Sequence, residues 1–219
     1  MKKVQNTLIT ALSLAMLGAA STSVNAEVTG NVGMTNDYLW RGTTQNNHDA
    51  AISGGIDYGH SSGIYAGTWV SDAALFGGTE VDLYGGFAGE AAGVSYDIGY
   101  ITYNYPQEST SDFSEVYVSV GYSIAGVSYS VDSENETTYL AVDLGTEAMG
   151  LSLGLNFGMY MNEDSDSDYM HYGVSVGKGI GGDWDATFAL SATDLEDGAT
   201  GNENPQATVS ISKSFDLIK

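Results

Sequence analysis

Seven acidic residues stand out by position. Asp37, Asp57, Asp82, Asp97, Glu115, Asp143 and Asp185 each occupy polar positions in stretches where apolar and polar residues alternate. Side chains of an extended strand point to opposite faces in turn, so each acid turns away from its aliphatic neighbours. Small residues beside them, such as Gly55, Gly86, Gly99, Gly154 and Ser175, leave space on that face, and no Lys or Arg falls there. Acids gathered on one side without cationic partners attract cations and repel anions. A dry interior would require them to be protonated or paired, whereas a hydrated interior would not. Two interiors are therefore open: a narrow, water-filled, cation-preferring lumen, or a filled one in which Tyr84, Tyr117 and Tyr139 hydrogen-bond to the acids.

Other residue sets carry less chemistry. Arg41 falls at the end of the first alternating stretch, where it would line a pore mouth or anchor the following loop against acids. Hydrolysis needs a His oriented by a carboxylate beside a nucleophile. Only His171, near Asp168 and Ser175, offers that, and without a supporting motif no catalytic residue is expected. The run Asn162-Glu163-Asp164-Ser165-Asp166-Ser167-Asp168 alternates oxygen donors but lacks the mid-loop Gly and closing Glu of a helical calcium loop. It reads as a solvated acidic loop, with divalent bridges to lipopolysaccharide phosphates as a weaker possibility. No metal site or cofactor is implied.

The elements that must position these acids are strands. Period-2 runs of about ten residues recur, the length of a tilted membrane strand. Twelve are expected, at 28–40, 50–59, 63–72, 79–88, 93–104, 113–123, 126–132, 137–146, 149–161, 169–178, 183–193 and 205–215. In the third, Tyr65 and Trp69 compete with Ile64 and Val70 for the apolar face. Short, mostly Gly-rich turns alternate with longer polar connections, so the strands run up and down with short turns on one rim and long loops on the other. Outward aromatics gather near the short turns (Tyr58, Phe87, Tyr96, Tyr122, Trp184, Phe215) and near the long loops (Tyr38, Trp40, Tyr100, Tyr172), where interfacial rings prefer to lie. The fold class is an all-β, antiparallel, transmembrane up-and-down barrel of about twelve strands.

Composition agrees. Lys2 and Lys3, the apolar stretch Leu8 to Ala20, and Val24-Asn25-Ala26 form the three parts of a secretory signal peptide. Residues 1–26 are expected to be removed, leaving a barrel over 27–219. Of six basic residues the remainder keeps Arg41, Lys178, Lys213 and Lys219, against 28 acidic ones. Such a surface excludes nucleic acid as a partner. Cysteine is absent, so this exported chain uses no disulfide.

At residues 36–45 the sequence reads N-D-Y-L-W-R-G-T-T-Q, followed by G-G-I-D-Y (54–58), G-I-Y-A-G-T-W (63–69), Y-D-I-G-Y (96–100) and a closing V-S-I-S-K-S-F (209–215). Together these resemble the TorF-type porins of proteobacteria. The resemblance implies an outer-membrane barrel with a pore and leaves the solute unnamed. A terminal aromatic commonly serves such barrels as the signal to the barrel-assembly machinery; here four residues follow Phe215. The expectation is a cell outer-membrane porin, set among lipids and lipopolysaccharide, passing small polar or cationic solutes by diffusion. A closed structural or adhesion barrel acting through its acidic loops is the alternative, and a secreted soluble β-protein the third.

Overall fold

Runs that are apolar on one side and polar on the other satisfy all their backbone groups only when their edges meet. The computed structural model of the chain describes residues 26–163, 168–195 and 205–218, and it shows such a ring. Fourteen strands are described: β1 (Ala26–Thr35), β2 (Leu39–Trp40), β3 (Thr43–Thr44), β4 (Ala51–His60), β5 (Ile64–Ala73), β6 (Gly78–Ala91), β7 (Val94–Asn104), β8 (Phe113–Tyr122), β9 (Ala125–Asp132), β10 (Thr137–Ala148), β11 (Leu151–Met161), β12 (Tyr169–Gly181), β13 (Trp184–Thr193) and β14 (Gln206–Ile218). All except β2 and β3 form one closed antiparallel barrel, each strand paired with the next in the ring. The ring closes between β1 and β14, from Thr35 opposite Ser210 to Val28 opposite Ile218. Residues 216–218 therefore extend the last strand. The proposed signal segment lies outside the described residues except for Ala26, the first residue of β1.

The packing is inverted relative to a water-soluble protein. The largest fully buried side chains are His171, Glu80, Thr44, Asp82 and Asp132, all polar. On the outer face Ile56, Leu83, Ile98, Val116, Leu155 and Val209 are each more than half exposed. This oily belt around a polar interior matches the alternation of membrane barrels. Tyr58, Phe87, Tyr96, Tyr122 and Phe215 lie outward toward the short-turn rim, and Tyr100 and Tyr172 outward toward the other. In β5 the competition resolves with Ile64 and Val70 outside and Tyr65 and Trp69 inside.

The short turns are made for hairpins. At Ala92-Gly93 and Met149-Gly150 both central residues have positive φ (54° and 79°, 54° and 73°). That is the type I′ pattern, whose twist matches paired strands.

One element departs from expectation. The first strand ends at Thr35 instead of continuing to 40. Asn36 keeps the edge intact as the backbone leaves: its side-chain amide donates to the Ala207 carbonyl at 3.2 Å, and its side-chain oxygen accepts the Val209 amide at 2.6 Å. The chain then turns into the barrel, where β2 and β3 pair as a small hairpin. Tyr38 and Trp40, expected in the outer aromatic girdle, are inside. Alternation alone could not show this, because a strand that continues and a hairpin that turns inward have the same period.

Candidate functional site

The inward hairpin and the lumen acids make up the site. At the hairpin tip Arg41 (φ 49°) and Gly42 (φ 86°) both take left-handed backbone, another type I′ turn. Gly42 is pressed against the wall, where a Cβ would lie 2.6 Å from His171 Cβ and 2.8 Å from Thr193 Cγ2. Gln206 Nε2 donates to the Gly42 carbonyl at 3.2 Å. At the base, Thr44 Oγ1 donates to Asp37 Oδ1 at 2.7 Å, and His48 Nδ1 lies 2.8 Å from Asp37 Oδ2. The amides of Ala74 and Leu75 donate to the Asn46 side chain and the Gln45 carbonyl, tying the hairpin to the β5–β6 connection.

Arg41 was expected at the pore mouth and lies within the lumen, 5% exposed. Its Nη1 and Nη2 donate to Glu115 Oε1 and Oε2, both at 2.7 Å, a two-pronged ion pair. The Arg41 Cζ sits 4.1 Å from the Trp40 ring centroid and 4.0 Å from that of Tyr139, with Tyr160 at 5.4 Å. A guanidinium held edge-on by a carboxylate and face-on by rings satisfies both its donors and its weakly hydrated faces. Glu115 and Tyr139 are each the third residue of their strands, so the clamp lies roughly 7 Å inside the long-loop rim. Arg41 reaches the acidic face from a loop, not from a wall strand, and its pairing with Glu115 ties that loop to the wall.

The other acids are spread through the depth of the barrel. Asp37 is not on a strand; it anchors the hairpin base. Glu80, not among the seven acids singled out above although period 2 puts it on Asp82's face, accepts Tyr38 Oη at 2.8 Å and Tyr105 Oη at 2.9 Å. Asp82 is wholly buried, and neither carboxylate oxygen has a hydrogen-bond partner among the described residues. Lower down, Asp57 accepts Tyr84 and Asn31, Asp97 accepts Tyr65 at 2.7 Å, and Asp143 accepts Asn156 at 2.7 Å. Tyr65 and Tyr117 share a hydrogen bond across the wall. Nearest the short-turn rim, Asp185 is half-buried, as are Ser119, Ser128, Asp143 and Ser175 on their own strands.

The lumen therefore has two halves. Beneath the long loops, Trp40, Tyr103, Phe113 and Tyr160 pack edge-on or stacked around the hairpin. Toward the short turns the lining is Gly, Ser and acid, with Tyr65, Tyr84 and Tyr117 hydrogen-bonded among the acids. His171, Asp168 and Ser175 are not hydrogen-bonded to one another: His171 Nε2 pairs with Tyr139 Oη at 2.6 Å, and Asp168 accepts the Asn162 amide at 2.7 Å. Of the acidic run 162–168, residues 164–167 lie outside the described residues. No cluster of three or more metal-ligating side chains occurs among the described residues.

Comparison with known proteins supports the architecture. Residues 19–217 match the family model Gcw_chp, described as a bacterial protein of unknown function. No curated protein sequence matches. Among solved structures, the KdgM porin aligns with TM-score 0.61 at 9% identity, covering 87% of this chain and 99% of that one. The NanC porin gives 0.57 at 10% identity, covering 87% and 100%. The outer membrane protein Omp33 of Acinetobacter baumannii gives 0.54 at 6% identity, covering 88% and 98%. At these identities the likeness is one of fold, and the motif likeness to TorF-type porins reaches no further than the barrel.

Proposed function

The chain belongs to the Gcw_chp family of bacterial proteins of unknown function, and we propose that it is an outer-membrane porin-like channel preferring small cations, constricted at its mouth by the 36–50 hairpin. In this reading residues 1–26 are removed on export, the oily belt sits in the bilayer, and the long loops face outward. The observation that carries it is the lumen's charge. Asp57, Glu80, Asp82, Asp97, Glu115, Asp143 and Asp185 face inward, and among the described residues Arg41 is the one Lys or Arg that joins them. The KdgM neighbour is also known in complex with oligogalacturonate, a polyanion. A lumen of this sign repels such a solute, so that ligand does not transfer.

The hairpin favours a second reading, a closed barrel that acts through its acidic loops. Planar-bilayer recording under a potassium chloride gradient separates the two. The channel reading expects a cation-selective reversal potential, with larger conductance once residues 38–45 are replaced by a Gly-Ser linker. Anion selectivity, or silence in both the native and the hairpin-replaced protein, would count against it.

A further inference from the structure

Arg41 is held as a ligand is held. Its guanidinium is bidentate to Glu115 at 2.7 Å on both prongs, and one face lies 4.0 Å from the Tyr139 ring. Glu115 and Tyr139, with Tyr160, belong to the barrel wall, not to the hairpin. If Arg41 left, these wall groups would remain: a buried carboxylate fork beside an aromatic face. We propose that this wall is a binding site for guanidinium-bearing solutes, which Arg41 occupies from within the chain and which a solute can take in its place. This deepens the channel reading by naming the solute class.

Two features favour a guanidinium over a general cation. A planar fork matches both carboxylate oxygens at once, whereas an ammonium is a point charge that meets them singly. A guanidinium is also weakly hydrated and stacks on rings, so entry into this aromatic half of the lumen strips less water from it. Against exchange stands the high effective concentration of a tethered side chain, so displacing Arg41 in the native protein calls for ligand in the millimolar range, about the effective concentration a short tether gives.

The test is calorimetric titration of the refolded, detergent-solubilised barrel with L-arginine amide and L-lysine amide, which carry equal charge. Arg41→Ala bares the site; its folding is checked by the heat-modifiable gel mobility of a closed barrel. The expected result is binding of arginine amide by R41A at least ~10-fold tighter than lysine amide, a difference of about 1.4 kcal/mol. Native protein binds it more weakly, and R41A combined with Glu115→Gln loses the preference. Equal binding of the two amides by folded R41A, or a preference that survives E115Q, overturns the proposal. If R41A does not refold alone, refolding yield gives the readout: arginine amide raises it and lysine amide does not, and equal yields overturn the site. Binding does not depend on conduction. Selective binding with silent bilayers would therefore reject the channel while keeping the site.

Discussion

Glu115 and Arg41 show how a single contact can hold an element in place. Both are buried, and the cost of taking each charge out of water is offset only with both present. Removing one leaves an uncompensated charge in an aromatic setting, which costs about 3–5 kcal/mol. Removing both leaves none. A double-mutant cycle of Arg41→Gln and Glu115→Gln, followed by urea unfolding in micelles, should show each single variant strongly destabilised and the double variant much less than their sum. Additive losses would mean that the pair is not coupled. Gly42 is equally constrained: its backbone is left-handed, and the space where a side chain would go is filled by His171 and Thr193.

At the scale of elements, each barrel strand serves two environments at once. In β8 the outer face carries Val116, Val118 and Val120, while Glu115, Tyr117 and Ser119 face in. Val118 lies near the middle of the strand, so arginine there would meet the centre of the belt, where a charge costs roughly 2–4 kcal/mol in a bilayer. Arginine at Ser119 would enter a partly solvated lumen beside acids. Val118→Arg should therefore assemble poorly in lipid vesicles and Ser119→Arg close to normally, scored by heat-modifiable mobility. Equal assembly would contradict the belt. The hairpin β2–β3 contributes no strand to the ring, so its removal should leave the barrel closed.

At the scale of the whole molecule the governing quantity is charge, 28 acidic residues against six basic. Selectivity from fixed charge depends on screening, whose length is about 30 Å at 0.01 M salt and about 3 Å at 1 M. The cation preference should thus be strong in dilute potassium chloride and fall as salt rises on both sides of the bilayer. A preference indifferent to salt would point to a steric filter instead.

Much of this was legible along the chain. Period 2 over ten-residue runs, glycine at the turns and aromatics at strand ends specified a closed barrel, because strand geometry sends alternate side chains to opposite faces whatever the tertiary context. By that alternation Asp57, Asp82, Asp97, Glu115, Asp143 and Asp185 fall on the polar face of their strands. Tertiary structure decided what only long-range contact can decide. Whether residues 36–50 arch outward or fold inward depends on Glu115, Tyr139, His171 and Gln206, far away in sequence and adjacent only after the ring closes. The local pattern up to Trp40 is the same in both cases, so Asp37 read as a strand acid and Arg41 as a rim residue. Only the closed barrel brings an acid fork and an aromatic face to where Arg41 can reach them.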